Sequence, residues 1–368
     1  MDKLDKPRFF TGIQATGVLT LGNYCGLIHH ILKIQEDYEV IIMIADLHAL
    51  TVPKKDFDYS QKSREMAALL YACGLNQNCK IFIQSQIKEH LELTWLLAPF
   101  VTISELNNMI QYKEKKKQQE TGNLALLAYP VLMAADIFLY DADLIIVGQD
   151  QQQHTELAQQ VAQKFNNFYN QNLLQVPKFE IPRLGAKIKD LKNPQRKMSK
   201  SENGYIGLLD EPAVVEKKIK TAQTDSEDEI TYQPEQKPGI SNLLTIYSLL
   251  KNQTIEVSVK ELNSAYERSE LSACEPCSTD YSSQRYSQFK TKLINLLNQK
   301  LTLIQQKYHQ LLPHIEKTLT QNSNYLRNLA EQKVGKIRKK LKLYIYVMHS
   351  SGKNKNNWKW NWRNQKKD

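Results

Sequence analysis

Cysteine is scarce in this chain: five in 368 residues, an odd number scattered along the sequence. That excludes a disulfide-framed miniprotein and predicts free thiols in a reducing compartment. No run approaches the ~18 to 20 apolar residues that a membrane-spanning helix requires, and mean hydropathy is −0.51. Residues 1–10 contain no apolar signal-peptide region, which predicts a cytoplasmic protein. No internal repeat is found, and the composition is neither collagen-like nor that of a disordered chain. What is present is ample core material, 41% hydrophobic against 24% charged residues. At ~150 residues per domain the length corresponds to about two domains.

A positive excess is also missing from the body of the chain. The net charge is +10, but residues 333–368 hold twelve Lys or Arg against one acid, Asp368. That segment carries +11, which leaves −1 for residues 1–332. Nucleic-acid contact by the body must therefore rest on local patches such as Lys113, Lys115, Lys116 and Lys117, a run that is more often simply a solvated helix face. The end of the chain, 341–368, is rich in Lys and Asn and holds Trp358, Trp360 and Trp362. This composition predicts a disordered tail whose cations and rings suit nucleic acid.

The first half alternates strand and helix patterns. Strands are expected over 8–13, 40–45, 80–84 and 144–147, and 40–45 is apolar throughout, as in a parallel-sheet strand buried on both faces. Helices are expected over 22–36 and 60–73, the second stopping at Gly74. Beyond Pro212 strand signals vanish, and 217–222, 241–251, 257–268 and 285–327 read as helices. The fold class expected is α/β: a doubly wound parallel sheet over 1–210, an all-α region over 211–340 and the tail.

Two motifs point to phosphate chemistry. Residues 11–24 form a Gly-containing turn between the first strand and the first helix, where backbone N–H groups and the helix dipole attract anions. Gly22 would allow close approach, with Thr20 and Asn23 as polar contacts. Alone, such a turn is explained as readily by tight packing, and it fits neither the dinucleotide nor the P-loop spacing. The second motif is Lys197-Met198-Ser199-Lys200-Ser201, two lysines three residues apart with interleaved hydroxyls. Together the two resemble the HIGH and KMSKS signatures of class I aminoacyl-tRNA synthetases, with the first in the form Thr20-Leu21-Gly22-Asn23.

Further segments resemble bacterial tryptophanyl-tRNA synthetases: Gly12-Ile13-Gln14, Asp46-Leu47-His48-Ala49, Tyr112-Lys113-Glu114-Lys115, and the run from Tyr129-Pro130 to Ala135-Asp136. Val147-Gly148-Gln149-Asp150-Gln151 with His154, Thr224-Asp225-Ser226 and the run from Lys237-Pro238-Gly239 to Leu244 follow in order. The resemblance spans roughly 8–335. It implies a Rossmann-type catalytic domain, a helical anticodon-binding region, a homodimer, and the substrates ATP (with Mg2+), L-tryptophan and tRNA(Trp).

The pocket has its own chemical argument. Tyr129, Met133 and Asp136 are spaced i, i+4, i+7 and share one helical face, and apolar neighbours make Asp136 a carboxylate in an apolar setting. It could be a structural acid; the resemblance implies that it accepts the indole N–H, a group that only donates. By the same resemblance Met133 and Val147 line the ring, Tyr129 and Gln151 hold the ammonium group, and His48 stands near the pocket entrance. It also implies an ATP site made of Gln14, Ala15, Thr16, Gly22, Asn23, Gly148, Gln149, Asp150 and Ile188, with Met198, Ser199 and Ser201 of the second motif. Lys115, Lys197 and Lys200 would engage the triphosphate. Ala15 replaces the usual Pro, and Gln149 the usual Glu. Cys274 and Cys277 form a lone CxxC; zinc would need two more ligands, and no metal site is expected.

Overall fold

The computed structural model describes residues 6–15, 17, 19–119, 122–148, 151–180, 188–198, 204–272 and 284–343. Five strands, β1 (Arg8–Gln14), β2 (Glu39–Ala45), β3 (Cys79–Ile83), β4 (Leu144–Ile146) and β5 (Lys178–Glu180), form one sheet in the order β3-β2-β1-β4-β5. Every pairing is parallel. The α/β class with a helical C-terminal region is thus the observed one. The first four strands are those the sequence announces. β5 is not announced, because its three residues, Lys-Phe-Glu, hold one apolar side chain and owe their extension to pairing with β4.

β2 shows why its sequence is continuously apolar. Val40, Ile42 and Ile44 face one core cluster and Ile41, Met43 and Ala45 the other, the period-2 alternation of a strand covered on both sides. From β1 the sheet grows to β2 on one side and to β4 on the other. In such sheets the crevice beyond the carboxyl ends, where the strand order reverses, receives ligands.

The helical half departs from the sequence expectations at its boundaries. The helix expected from 217 begins at Pro212 and that expected from 241 at Pro238, each with Pro in the first turn, where a missing N–H costs nothing. The expected helix 285–327 is two helices, Gln284–Leu311 and Ile315–Lys340, separated by the turn Leu312–His314. Pro313, with no N–H to donate and a ring that clashes with the preceding turn, accounts for the break.

The final helix returns to the sheet. Leu326, Ala330, Val334 and Ile337 join the cluster that holds Phe82 of β3. Asn322 Nδ2 donates to the Ile81 carbonyl at 2.9 Å and to the Tyr71 hydroxyl at 3.0 Å. Arg338 pairs with Glu92, and Lys333 with Asp141. The β3 edge of the sheet is thereby covered, which protects that edge against pairing with other chains. Residues 344–368, including the tail tryptophans, lie outside the described residues, as do Cys274 and Cys277. Among the described residues no helix is long and apolar enough to cross a membrane.

Candidate active site

A cavity of about 1510 Å3 opens at the carboxyl ends of β1 and β4, lined by residues of both phosphate motifs and of the carboxylate face. Its rim is built by the first motif. Thr20 caps the helix that begins at Leu21, accepting the Asn23 N–H through its side chain, while Asn23 Oδ1 accepts the Thr20 N–H at 2.9 Å. This reciprocal cap satisfies two orphan donors. The helix then widens into a π turn, Tyr24–Ile28, before resuming at His29, and Gly26 and Leu27 of that turn line the cavity. Single π turns concentrate at functional sites; side-chain periodicity gives no sign of one.

The described residues of the second motif, Lys197 and Met198, lie against the first. Leu21 N–H donates to the Ile206 carbonyl at 2.8 Å and Leu208 N–H to the Leu19 carbonyl at 2.9 Å. Lys197 pairs antiparallel with Lys189, and Met198 N–H donates to the Ile188 carbonyl at 2.9 Å. A Cβ on Gly22 would stand 3.6 Å from Met198 Cβ, so the two signatures are in van der Waals range. Asn242 anchors the arrangement, accepting the Lys189 N–H at 2.8 Å and donating to its carbonyl at 3.0 Å. Two glycines are sterically obligatory here. A Cβ on Gly204 would fall 2.0 Å from Asp190 Oδ1, and one on Gly239 2.1 Å from the Gln223 carbonyl oxygen.

At the inner end of the cavity stands Asp136, on the Leu124–Phe138 helix, 1% exposed. Its carboxylate is densely solvated by protein. Oδ1 accepts Gln84 Nε2 at 2.8 Å and lies 2.6 Å from His90 Nδ1, and Oδ2 lies 2.7 Å from His48 Nε2. Burial raises the carboxyl, but the hydrogen bonds from His48 and His90 outweigh it and hold Asp136 below the ordinary carboxylate value. Asp136 is therefore an ionised acceptor in a low-dielectric site. Met133, Val147, Phe10 and Met43 line the same cavity.

Tyr129, one helical turn before Met133, lines the cavity and begins a polar chain. Its hydroxyl donates to Gln111 Oε1 at 3.0 Å and lies 2.7 Å from His154 Nε2. His154 Nδ1 lies 3.0 Å from Gln151 Oε1. The two residues expected to hold an ammonium group are thus linked through a buried histidine.

Of the sequence-derived site residues, Gln14, Gly22, Asn23, His48, Tyr129, Met133, Asp136, Val147, Gly148, Gln151, Ile188, Lys197 and Met198 line this one cavity. Ala15 is buried beside it at the end of β1, and Lys115 is carried by the Ile110–Gln119 helix. Thr16, Gln149, Asp150, Ser199, Lys200 and Ser201 lie outside the described residues. Sequence reasoning missed Phe10, Met43, Gln84, Gln111 and His90. Strand alternation could have offered Phe10 and Met43, since both face the cluster that holds Tyr129; nothing in the local sequence marks His90 or Gln84 as partners of an acid some 50 residues away. Burial pushes the thiols of Cys25, Cys73 and Cys79 up to about 12, so none is a nucleophile at neutral pH. Among the described residues no group of three or more His, Cys, Asp or Glu side chains could hold a metal ion.

Comparison with known proteins bears on this geometry. The family model for class I tRNA synthetases (W and Y) matches residues 2–277. A tryptophan–tRNA ligase of Oceanobacillus iheyensis is 43% identical over 307 residues, 82% of this chain and 88% of that protein. The crystal structure of tryptophanyl-tRNA synthetase from Mycoplasma pneumoniae superposes with a TM-score of 0.77 at 31% identity, covering 92% of this chain and 98% of that one. The Campylobacter jejuni enzyme, complexed with ADP and tryptophan, gives 0.75 at 30% identity, covering 91% of this chain and 100% of that one.

Proposed function

The chain belongs to the class I tRNA synthetases of the tryptophan and tyrosine type, and on that premise we propose that it activates L-tryptophan with ATP, releases pyrophosphate and charges the 3′ end of tRNA(Trp). The observation that carries the choice of amino acid is Asp136, an ionised acceptor in a cavity that Met133, Val147, Phe10 and Met43 also line. An indole N–H needs an acceptor and offers no lone pair in return. Met133, Val147, Phe10 and Met43 supply the apolar wall for the ring. Tyr129 and Gln151 receive the ammonium group, and His48, expected at the entrance, instead stands 2.7 Å from the Asp136 carboxylate and braces it.

In the first step a tryptophan carboxylate oxygen attacks the α-phosphorus of ATP in line, and the bond to the bridging oxygen of pyrophosphate breaks. Charge grows on the leaving group, where Lys197, Lys200 and Lys115 meet it, with Mg2+ arriving as part of the ATP substrate. Gln14, Ala15, Thr16, Gly22, Asn23, Gly148, Gln149, Asp150, Ile188, Met198, Ser199 and Ser201 hold the nucleotide. No covalent catalyst is required; positioning and charge stabilisation suffice. In the second step a ribose hydroxyl of the tRNA attacks the adenylate carbonyl and AMP leaves. Gln149 in place of Glu keeps an acceptor for ribose while removing one charge.

Residues 1–210 carry this chemistry, 211–340 the anticodon contacts, and the enzyme works in the cytoplasm as a homodimer. Exposed apolar side chains support the dimer. Leu91 and Trp95, one turn apart, are 54% and 79% exposed on a helix leading to Phe100, whose ring meets the 70%-exposed Phe168. Sedimentation should give a dimer for the native chain and a monomer for Trp95→Glu. For the activity the deciding experiment is ATP–pyrophosphate exchange. Exchange that requires tryptophan and fails with tyrosine is expected; exchange indifferent to tryptophan would overturn the reading.

A further inference from the structure

We infer that His90 is a positioning residue for tryptophan selection: backed by Tyr140, it fixes which oxygen of Asp136 is left to receive the indole N–H. The inference rests on the tryptophan reading above. His90 is completely buried and does not line the cavity, so it acts only through the acid. Its ring stacks on Phe82, centroids 5.8 Å apart at 20°, and packs on Tyr140 at 5.6 Å. Such packing forbids a ring flip without repacking the core.

The hydrogen-bond count gives this contact a direction. Tyr140 is 1% exposed, and burial together with the nearby Asp136 and Glu89 charges raises its hydroxyl well above the ordinary value, so it stays protonated. It lies 2.8 Å from His90 Nε2. The ionised Asp136 carboxylate can only accept, so the His90 ring hydrogen sits on Nδ1 and donates to Oδ1, which leaves Nε2 to accept from the Tyr140 hydroxyl. Gln84 Nε2 is the second donor to the same oxygen. Both lone pairs of Oδ1 are therefore occupied by groups locked in the core. Oδ2 accepts from His48 alone among the described residues and keeps one lone pair, on the carboxylate that lines the cavity. A carboxylate pinned through one oxygen presents the other in a single orientation. Without His90 the carboxylate is held by Gln84 and His48 alone, Oδ1 regains a lone pair that competes with Oδ2, and an N–H donor gains less over a ring that lacks one.

The test compares tryptophan with 3-benzothienyl-L-alanine, in which sulfur replaces the indole N–H, in pyrophosphate exchange. For His90→Leu we expect KM for tryptophan to rise about tenfold or more, with kcat, KM for ATP and kcat/KM for the sulfur analogue within about threefold of native. His90→Asn, whose amide nitrogen reoccupies the Nδ1 position, should recover most of the loss. Tyr140→Phe, which removes only the hydroxyl, should shift tryptophan KM in the same direction by a few-fold. In the native protein 15N NMR should find the His90 ring hydrogen on Nδ1, a readout that needs no variant to fold. Equal losses with both amino acids, or the hydrogen on Nε2, would overturn the inference. Loss of discrimination in Asp136→Asn with none in His90→Leu would overturn it and leave the tryptophan reading standing. Unchanged discrimination in both variants would remove that reading and the inference with it.

Discussion

Asp136 concentrates the argument at the scale of single residues. The change Asp136→Asn preserves volume but weakens the acceptor and turns one oxygen into a donor. A hydrogen bond to a charged partner contributes about 1.5–3 kcal/mol, so kcat/KM for tryptophan should fall by roughly 10- to 150-fold. Native kinetics with tryptophan would refute the assignment. The same residue links stability to pH. Its folded carboxyl lies below the ordinary 3.8 because His48 and His90 outweigh burial. The unfolded chain then binds the proton more readily, so the stabilisation is complete above about pH 4–5 and is lost as pH falls through the lower, folded value. Urea midpoints of the native chain and Asp136→Asn should differ by a constant amount from pH 7 to 5, and the gap should narrow below about pH 4. A gap that widened with acid would contradict the depressed carboxyl.

Among the elements, the decisive object is the pair of phosphate motifs held against each other. The 188–198 hairpin depends on Asn242, which satisfies both backbone groups of Lys189. Asn242→Ala leaves two backbone groups without that partner, and each unmet group costs about 1–3 kcal/mol. The expected result is a slower adenylation step with little change in equilibrium tryptophan binding, because Asp136 and its ring walls are untouched. Lys197→Ala and Lys200→Ala should act in the same direction, since contacts that strengthen as charge moves to pyrophosphate affect kcat more than ground-state affinity. Stopped-flow adenylate formation alongside equilibrium dialysis separates the two quantities. Tryptophan affinity falling as steeply as the rate would count against this division.

For the molecule as a whole, the last helix matters most. It is the final described element, yet it completes the core cluster that holds Phe82 of β3 through Leu326, Ala330, Val334 and Ile337. Leu341 packs on the same cluster, and Leu343 N–H donates to the Arg338 carbonyl at 3.0 Å. The body therefore extends at least to Leu343, three residues beyond the compositional boundary. A chain ending at Leu343 should keep tryptophan-dependent pyrophosphate exchange, because every proposed active-site residue precedes it. It should lose tRNA affinity most visibly at low salt, where each released counterion counts most. Exchange abolished in a folded truncated protein would make the tail part of the catalytic architecture.

Four of the five strands, the helical second half and the two phosphate motifs were legible in the sequence, because period-2 and period-3.6 patterns and fixed spacings are local properties of a chain. Tyr129, Met133 and Asp136 were legible as one face for the same reason. What required the tertiary structure is whatever links distant positions. β5 exists only through β4, and the break at Pro313 sends the last helix back to the sheet. Gln84, His90 and His48 come from different elements to meet one carboxylate. A sequence specifies each of these side chains, but a buried charge selects its partners by distance and direction across the core, and no periodicity along the chain records that choice.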